Sequence, residues 1–336
     1  MGGALGEKDD TVTLNPHDDT FSSAQSAADE QPPTSADLGT SAGRAPIPKT
    51  SYEASAEVQR WLREQAEEVS GLKPPFNPTF LAGQRDRPWV LSSLTHFYED
   101  DLITDVLWMI KSGKEATVYC CAAHPSLETE YVAAKVYRPR MFRSLKNDAV
   151  YRRSRAVYDN DGREVFGRRA RLNAERKTAR GRLAQVAAWI TYEFQTQRLL
   201  YEAGADVPRT LAQSGNAILM EYIGGPDGAA PKLGGAALAP EEAQLVFDRI
   251  LRNVELWLAC DRIHGDLSPY NILYWDGMAT IIDFAQAIDP RYNFDAFPLL
   301  HRDIERVCDH FARLGVRAEA VEIATDLWTR YLRGEL

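Results

Sequence analysis

Cysteine is scarce in this chain. Its four cysteines, Cys120, Cys121, Cys260 and Cys308, show no C-x-x-C or other metal-ligand spacing in 336 residues. Neither a thiolate metal site nor a disulfide framework is expected, and the adjacent pair in an apolar run reads as buried free thiols in a reducing cytosol. No apolar run reaches the roughly 18–20 residues of a membrane span. The acidic N-terminus lacks the apolar core of a secretory signal, so the expectation is a cytoplasmic protein with no membrane partner. A G-x-G-x-x-G loop is missing as well, so any nucleotide-covering turn must be built from other residues. What is present is the composition of a soluble globular protein, 44% hydrophobic and 26% charged.

Charge is unevenly placed. The net of −9 conceals a segment, residues 138–182, with 15 Lys+Arg against 5 Asp+Glu, so that +10 there is balanced by −19 elsewhere. Residues 1–50 are rich in Ser, Ala, Asp, Thr, Gly and Pro, with almost no large apolar side chains, and are expected to be a disordered tail. Across 51–87, "SAEVQRWLREQAEEV" places Val58, Trp61, Leu62 and Val69 near helical spacing before a Pro-rich connector. "RPWVLSSLTHFYEDDLI" then reads as a helix, and "VLWMI", "TVYCCAA" and "YVAAKVY" read as strands separated by "KSGKEA" and "HPSLETE". Beyond the basic segment come a long helix stopped by Gly204, a strand pair over 210–223, a long helix from Pro240, and a helical tail. That order predicts an α+β chain, a β-rich lobe over 88–223 followed by a helical lobe over 224–336, with no βαβ repeats.

The densest chemistry lies in "HGDLSPYNILYWDGMATIID", residues 264–283. Transfer of a phosphoryl group from a nucleotide requires magnesium on hard oxygen ligands, a carboxylate to orient the attacking hydroxyl, and a lysine on the phosphates. "HGDLSPYN" resembles the protein-kinase loop H-R-D-L-x-x-x-N, with Gly265 in place of Arg, and Asp283-Phe284-Ala285 stands where D-F-G is expected. "NILYW" and "MATII" around Asp276-Gly277 predict a hairpin that returns Asn271 and Asp283 to the same end, toward one metal ion. Upstream, Lys135 stands between apolar residues of a strand as the phosphate-contacting lysine. Glu193 is its expected partner, with Glu202 as the alternative. "ILMEYIG" supplies a lobe-connecting segment, with Met220 behind an adenine pocket and the backbone of Glu221 and Tyr222 as hydrogen-bonding candidates.

Together, "SGKEATVY", "AAKVY", "HGDLSPYNILY" and "IIDFAQAID" resemble the RIO family of atypical serine/threonine protein kinases, most closely its first branch. The flanking "VLSSLTHFYEDDLITDVLWMI" and "FDAFPLLHRDIERVCDHFARLGV" extend the resemblance over about residues 88–318. It implies a trimmed bilobal protein-kinase-like fold with a short helical C-lobe and no full activation segment. The absence of an A-P-E motif in the 53 residues after Asp283 agrees. It further implies that Ser112, Lys114, Glu115 and Val118 line the nucleotide, that Lys135 holds phosphates and that Asp266 is the catalytic aspartate. Asn271 and Asp283 would bind magnesium, or manganese in its place, beside ATP, and Asp283 could accept phosphate in an ATPase cycle. Pro269, Ala285 and the long basic segment depart from the family pattern.

Two other readings compete. Small-molecule phosphotransferases of the aminoglycoside or choline kinase type share H-G-D-x-x-x-x-N and a later I-D, but "SGKEATVY" directly before "AAKVY" favours the RIO reading. A nucleotide-switched binding module would use the basic segment, with Phe142, Tyr151, Tyr158 and Phe166 interleaved, against RNA or the ribosome. The plainer expectation for that segment is a solvated loop near ATP or a protein substrate. Ser144 and Ser154 within it are the expected autophosphorylation acceptors.

Overall fold

The computed structural model of the chain describes residues 60, 73–80, 87–138 and 179–336, with side chains from residue 186 onward in the last stretch. The N-terminal tail, the helix expected over 55–69 (Arg60 apart) and most of the basic segment, with Ser144, Ser154 and its four aromatics, lie outside the described residues.

Helix α1 (Arg87–Glu99) buries Val90, Leu94 and Phe97, which recur at intervals of four and three residues. It stops where Asp101 turns left-handed at φ 56° and the Leu102 N–H closes onto the Phe97 carbonyl at 2.9 Å. Strands β1 (Ile103–Ser112), β2 (Ala116–Ala123) and β3 (Tyr131–Tyr137) follow as an antiparallel meander. After α2 (Ala179–Glu202), the chain returns as β4 (Thr210–Ser214) and β5 (Ala217–Glu221). The five strands form one sheet in the order β1-β2-β3-β5-β4. β1 is longer than its central apolar run predicts: it carries Lys111 and Ser112, and three register shifts interrupt its pairing with β2. Such bulges twist a strand and re-aim its side chains.

α2 ties the lobes together. Trp189, Ile190 and Phe194 belong to the core beneath the sheet, whereas Tyr192 and Leu200 belong to the core of the helical lobe. Gly204 ends the helix at φ 88°, a conformation that glycine adopts without steric cost. The helical lobe opens with a very small hairpin that has no strand signal in the sequence, β6 (Gly224–Gly225) against β7 (Gly228–Ala229). A Cβ on Gly224 would stand 2.6 Å from the Gly228 carbonyl oxygen, so the close approach itself requires glycine.

α3 (Pro240–Ala259) begins with proline and two glutamates in its first turn, favourable for an exposed helix N-terminus. It buries a stripe through Val246, Phe247, Ile250, Val254 and Trp257; each such side chain contributes about 1.5–3 kcal/mol on burial. Hairpin β8 (Ile272–Trp275) and β9 (Met278–Ile281) packs onto that core, followed by α4 (Ala296–Ala312) and α5 (Ala320–Arg333). The architecture is α+β, a five-stranded sheet lobe followed by a helical lobe. All four cysteines are free, and burial pushes the Cys120 thiol up to about 12. No helix among the described residues is long and apolar enough to cross a membrane.

Candidate active site

Lys135 lies opposite Val118 on β2 and Ile218 on β5, so its stem is flanked by apolar neighbours. Its Nζ donates to Glu193 Oε1 at 2.6 Å and to Asp283 Oδ1 at 2.9 Å. Glu193, only 1% exposed, also accepts from the Tyr137 hydroxyl. Glu202 instead sits at the exposed end of α2, 3.7 Å from Arg198. One ammonium thus serves two carboxylates. Burial opposes the charge on Lys135, but Asp283 and Glu193 outweigh it and hold its pKa well above the ordinary lysine value. Asp283, 44% exposed, takes the larger benefit: Lys135 holds its carboxyl below the usual range. Burial dominates at Glu193 and raises it.

The loop bearing Asp266 is held from both sides. His264 is buried, which keeps its pKa below the ordinary histidine value. Its Nδ1 accepts the Asp266 N–H at 3.3 Å, which assigns the proton to Nε2, 3.2 Å from the Ile282 carbonyl. From α4, the Asp303 carboxylate accepts the N–H groups of Gly265 (2.7 Å) and Leu267 (3.1 Å), and Arg302 donates to the Gly265 carbonyl. Burial pushes Asp303 up to about 7. Arg306, one turn further along α4, donates to Asp266 Oδ1 at 2.8 Å. Asp266 itself is half-exposed.

The β8–β9 hairpin has the turn its sequence demands, with Asp276 at φ 49° and Gly277 at φ 75° between paired Trp275 and Met278. At its other end the Ile282 N–H donates to the Asn271 carbonyl at 2.9 Å, which brings Asn271 beside Asp283. Asp283 adopts a left-handed conformation, φ 74°, uncommon for a residue with a side chain and frequent at functional sites. The Asn271 amide nitrogen donates to the Asp266 carbonyl at 2.9 Å, leaving its oxygen as a hard donor. Among the described residues there is no group of three His, Cys, Asp or Glu fit to cage a metal. Asn271 and Asp283 set two hard oxygen donors side by side, the donor type that magnesium takes.

A cavity of about 830 Å³ between the lobes gathers Val118, Lys135, Glu193, Met220, Asn271 and Asp283 on its walls, together with Glu221 and Tyr222. Trp108, Tyr131 and Tyr222 cluster at one edge with ring centroids 5.8–6.3 Å apart. The Glu221 N–H donates to the Arg209 carbonyl at 2.8 Å, so that candidate donor is committed to the sheet. Ser112, Lys114 and Glu115 do not reach the cavity wall. The Gly113 N–H closes a tight turn onto the Ala116 carbonyl, the Arg138 N–H ties to the Glu115 carbonyl, and the Arg138 guanidinium donates to Ser112 Oγ at 2.6 Å. These bonds draw the turn toward the end of β3. Lys111, which opens "KSGKEA" but carries no motif role of its own, and Lys232 line the cavity in their stead.

Sequence reasoning also missed Arg302, Asp303 and Arg306. A signal was present: Asp303 continues the apolar stripe of α4, four residues after Leu299 and four before Val307. A carboxylate on a buried stripe is rarely there without partners.

Comparison with known proteins extends these observations. The RIO domain family model matches residues 118–324. The serine/threonine-protein kinase RIO1 of Chaetomium thermophilum is 29% identical over 231 residues, covering 64% of this chain and 41% of that protein. The RIO-type serine/threonine-protein kinase Rio1 of Haloferax volcanii is 28% identical over 211 residues, covering 62% and 64% respectively. The chain therefore spans about two fifths to just under two thirds of these relatives' length. The crystal structure of the Rio2 kinase from Chaetomium thermophilum superposes with a TM-score of 0.51 at 18% identity, covering 81% of this chain and 86% of that one. With a family model matching residues 118–324 and relatives named RIO1 in a fungus and an archaeon, the chain belongs to the RIO family and is RIO1-type.

Proposed function

We propose that the protein is an atypical serine/threonine kinase that transfers the γ-phosphoryl group of ATP, with magnesium, to a protein hydroxyl. The observation that carries this reading is the junction of Lys135, Glu193 and Asp283 on the wall of an interlobe cavity that also holds Asn271. Lys135, fixed between two carboxylates, is placed to hold phosphate oxygens. Asp266, exposed yet restrained by Arg306 and by Asn271, is placed to orient the acceptor hydroxyl and take its proton. Asn271 and Asp283 would hold magnesium, which when bound neutralises charge on the phosphates. Phosphoryl transfer here is chiefly positioning and electrostatics, and the α4 clamp on residues 265–267 supplies the positioning. Four free thiols fit a reducing compartment, and we place the protein in the cytoplasm.

The test is incubation of the full chain with magnesium and γ-labelled ATP, alone and with added protein substrates. The expected product is an acid-stable, hydroxylamine-resistant phosphoester on protein. Asp266→Ala should abolish it while leaving ATP affinity within about twofold, as expected for a group acting only in the chemical step. Label found only as free phosphate, as a hydroxylamine-labile acyl phosphate, or on small alcohols and amines would refute the kinase reading in favour of an ATPase or a small-molecule transferase.

A further inference from the structure

Lys111 and Lys232 come from opposite lobes to the same cavity, and neither is assigned a role by the motifs above. Lys111 reaches it through a defect in the sheet. The β1–β2 register shifts between Met109 and Lys111, so that Lys111 pairs with Val118, itself a wall residue of the cavity. Directly paired residues share a face of the sheet, and the bulge therefore turns Lys111 toward the cavity. Lys232 is held from the helical side. Its backbone bridges to Leu273, two residues after Asn271, and its Nζ lies 5.9 Å from the centre of the Tyr270 ring on the loop that carries Asp266. Among the described residues neither lysine forms an ion pair, while the nearby Asp283 Oδ1 is occupied by Lys135.

Two converging ammonium groups repel, and Asp283, whose Oδ1 is already engaged by Lys135, offsets this only in part; an anion between them relieves the remainder. We propose that Lys111 and Lys232 form a clamp across the lobes for the terminal phosphates of a nucleoside triphosphate. Gripping one phosphate chain from both lobes would draw the lobes together over the nucleotide. The state of Lys232 fits: burial and the neighbouring Lys111 bring its pKa down to about 8 against the opposing pull of Asp283, a shift that a bound phosphate would reverse. This inference rests on the nucleotide reading of the cavity.

The experiment measures affinity of the full chain for ATP, ADP and AMP by calorimetry, in wild type and in Lys111→Gln, Lys232→Gln and the double variant. Each single variant should weaken ATP by about tenfold or more, the loss of one charge-assisted hydrogen bond. ADP should lose less, and AMP should be unchanged. Equal losses for all three nucleotides, or no loss for ATP, would overturn the clamp while leaving the nucleotide reading intact. Wild-type protein that binds none of the three would remove both. A second readout needs no variant: an amine-acylating reagent at pH 8 should modify Lys232 ahead of the other lysines, and ATP but not AMP should protect it. Labelling of Lys232 that ATP leaves unchanged would refute the clamp.

Discussion

Replacing Lys135 with methionine isolates the electrostatics at the centre of the molecule. Methionine keeps the length and apolar stem of lysine and removes only the ammonium group. Asp283 is 44% exposed and can rehydrate when that group goes. Glu193 is 1% exposed and cannot, retaining only the Tyr137 hydroxyl as a donor. The loss therefore falls on Glu193, and stranding one member of a buried pair costs about 3–5 kcal/mol. Urea unfolding at neutral pH should show this as a lower midpoint with an unchanged slope. Glu193→Gln alone should cost only about 1 kcal/mol, because Lys135 still holds Asp283 and a neutral oxygen still accepts. The double variant should recover most of the Lys135→Met deficit, since no buried charge is then stranded. The sign with pH follows from Glu193. Its folded pKa lies above the unfolded value, so the variant's penalty is full above that pKa. It shrinks as pH falls and the carboxyl takes up a proton. A deficit of the same size at pH 5 and pH 8, unrelieved by Glu193→Gln, would show that packing rather than charge is responsible.

Asp303→Ala should orphan the buried N–H groups of Gly265 and Leu267, costing about 2–6 kcal/mol at about 1–3 for each. The rate of phosphoryl transfer should fall with nucleotide affinity unchanged; a variant with full stability and rate would refute the clamp from α4. Because burial raises Asp303 to about 7 from 3.8, wild-type stability should decline as pH rises between those values, and Asp303→Asn should flatten that slope in denaturant titrations. His264 is held below 6.5 by burial, so the unfolded chain takes up a proton that the folded chain refuses. Stability should drop as pH falls through 6.5, and an NMR titration placing His264 at or above 6.5 would contradict the assignment. Gly277→Ala should cost about 1 kcal/mol, read as a lower Tm, because φ 75° is strained for any residue with a Cβ; an unchanged Tm would mean that the turn relaxes.

Segments whose partners lie a few residues away could be read directly. Asp276-Gly277 makes a turn with two positive φ angles, and the register it imposes puts Asn271 beside Asp283. The spacing of His264, Asp266 and Asn271 closes one loop through short hydrogen bonds. The apolar setting of Lys135 was visible because strand periodicity is local. Of "SGKEATVY", Val118 lines the cavity, whereas Ser112, Lys114 and Glu115 do not. Ser112, Lys114 and Glu115 are adjacent in sequence to the cavity-lining part of β1, but Arg138, beyond the next two strands, draws their turn elsewhere.

Local placements were legible in the chain alone: a lysine on a strand, an aspartate on a loop and a hairpin that returns a second aspartate, all set by turn geometry and periods of two or a few residues. Tertiary structure decided which charges meet. Glu193 reaches Lys135 from 58 positions away because the phase of α2 turns it inward where Glu202 points to solvent. Asp303 and Arg306 meet the loop that bears Asp266 because α4 packs with one face against it. Lys111 faces the cavity because of one extra residue in a strand. Such meetings depend on how whole elements pack, and packing is governed by shape and burial summed over many residues. No short motif carries that sum.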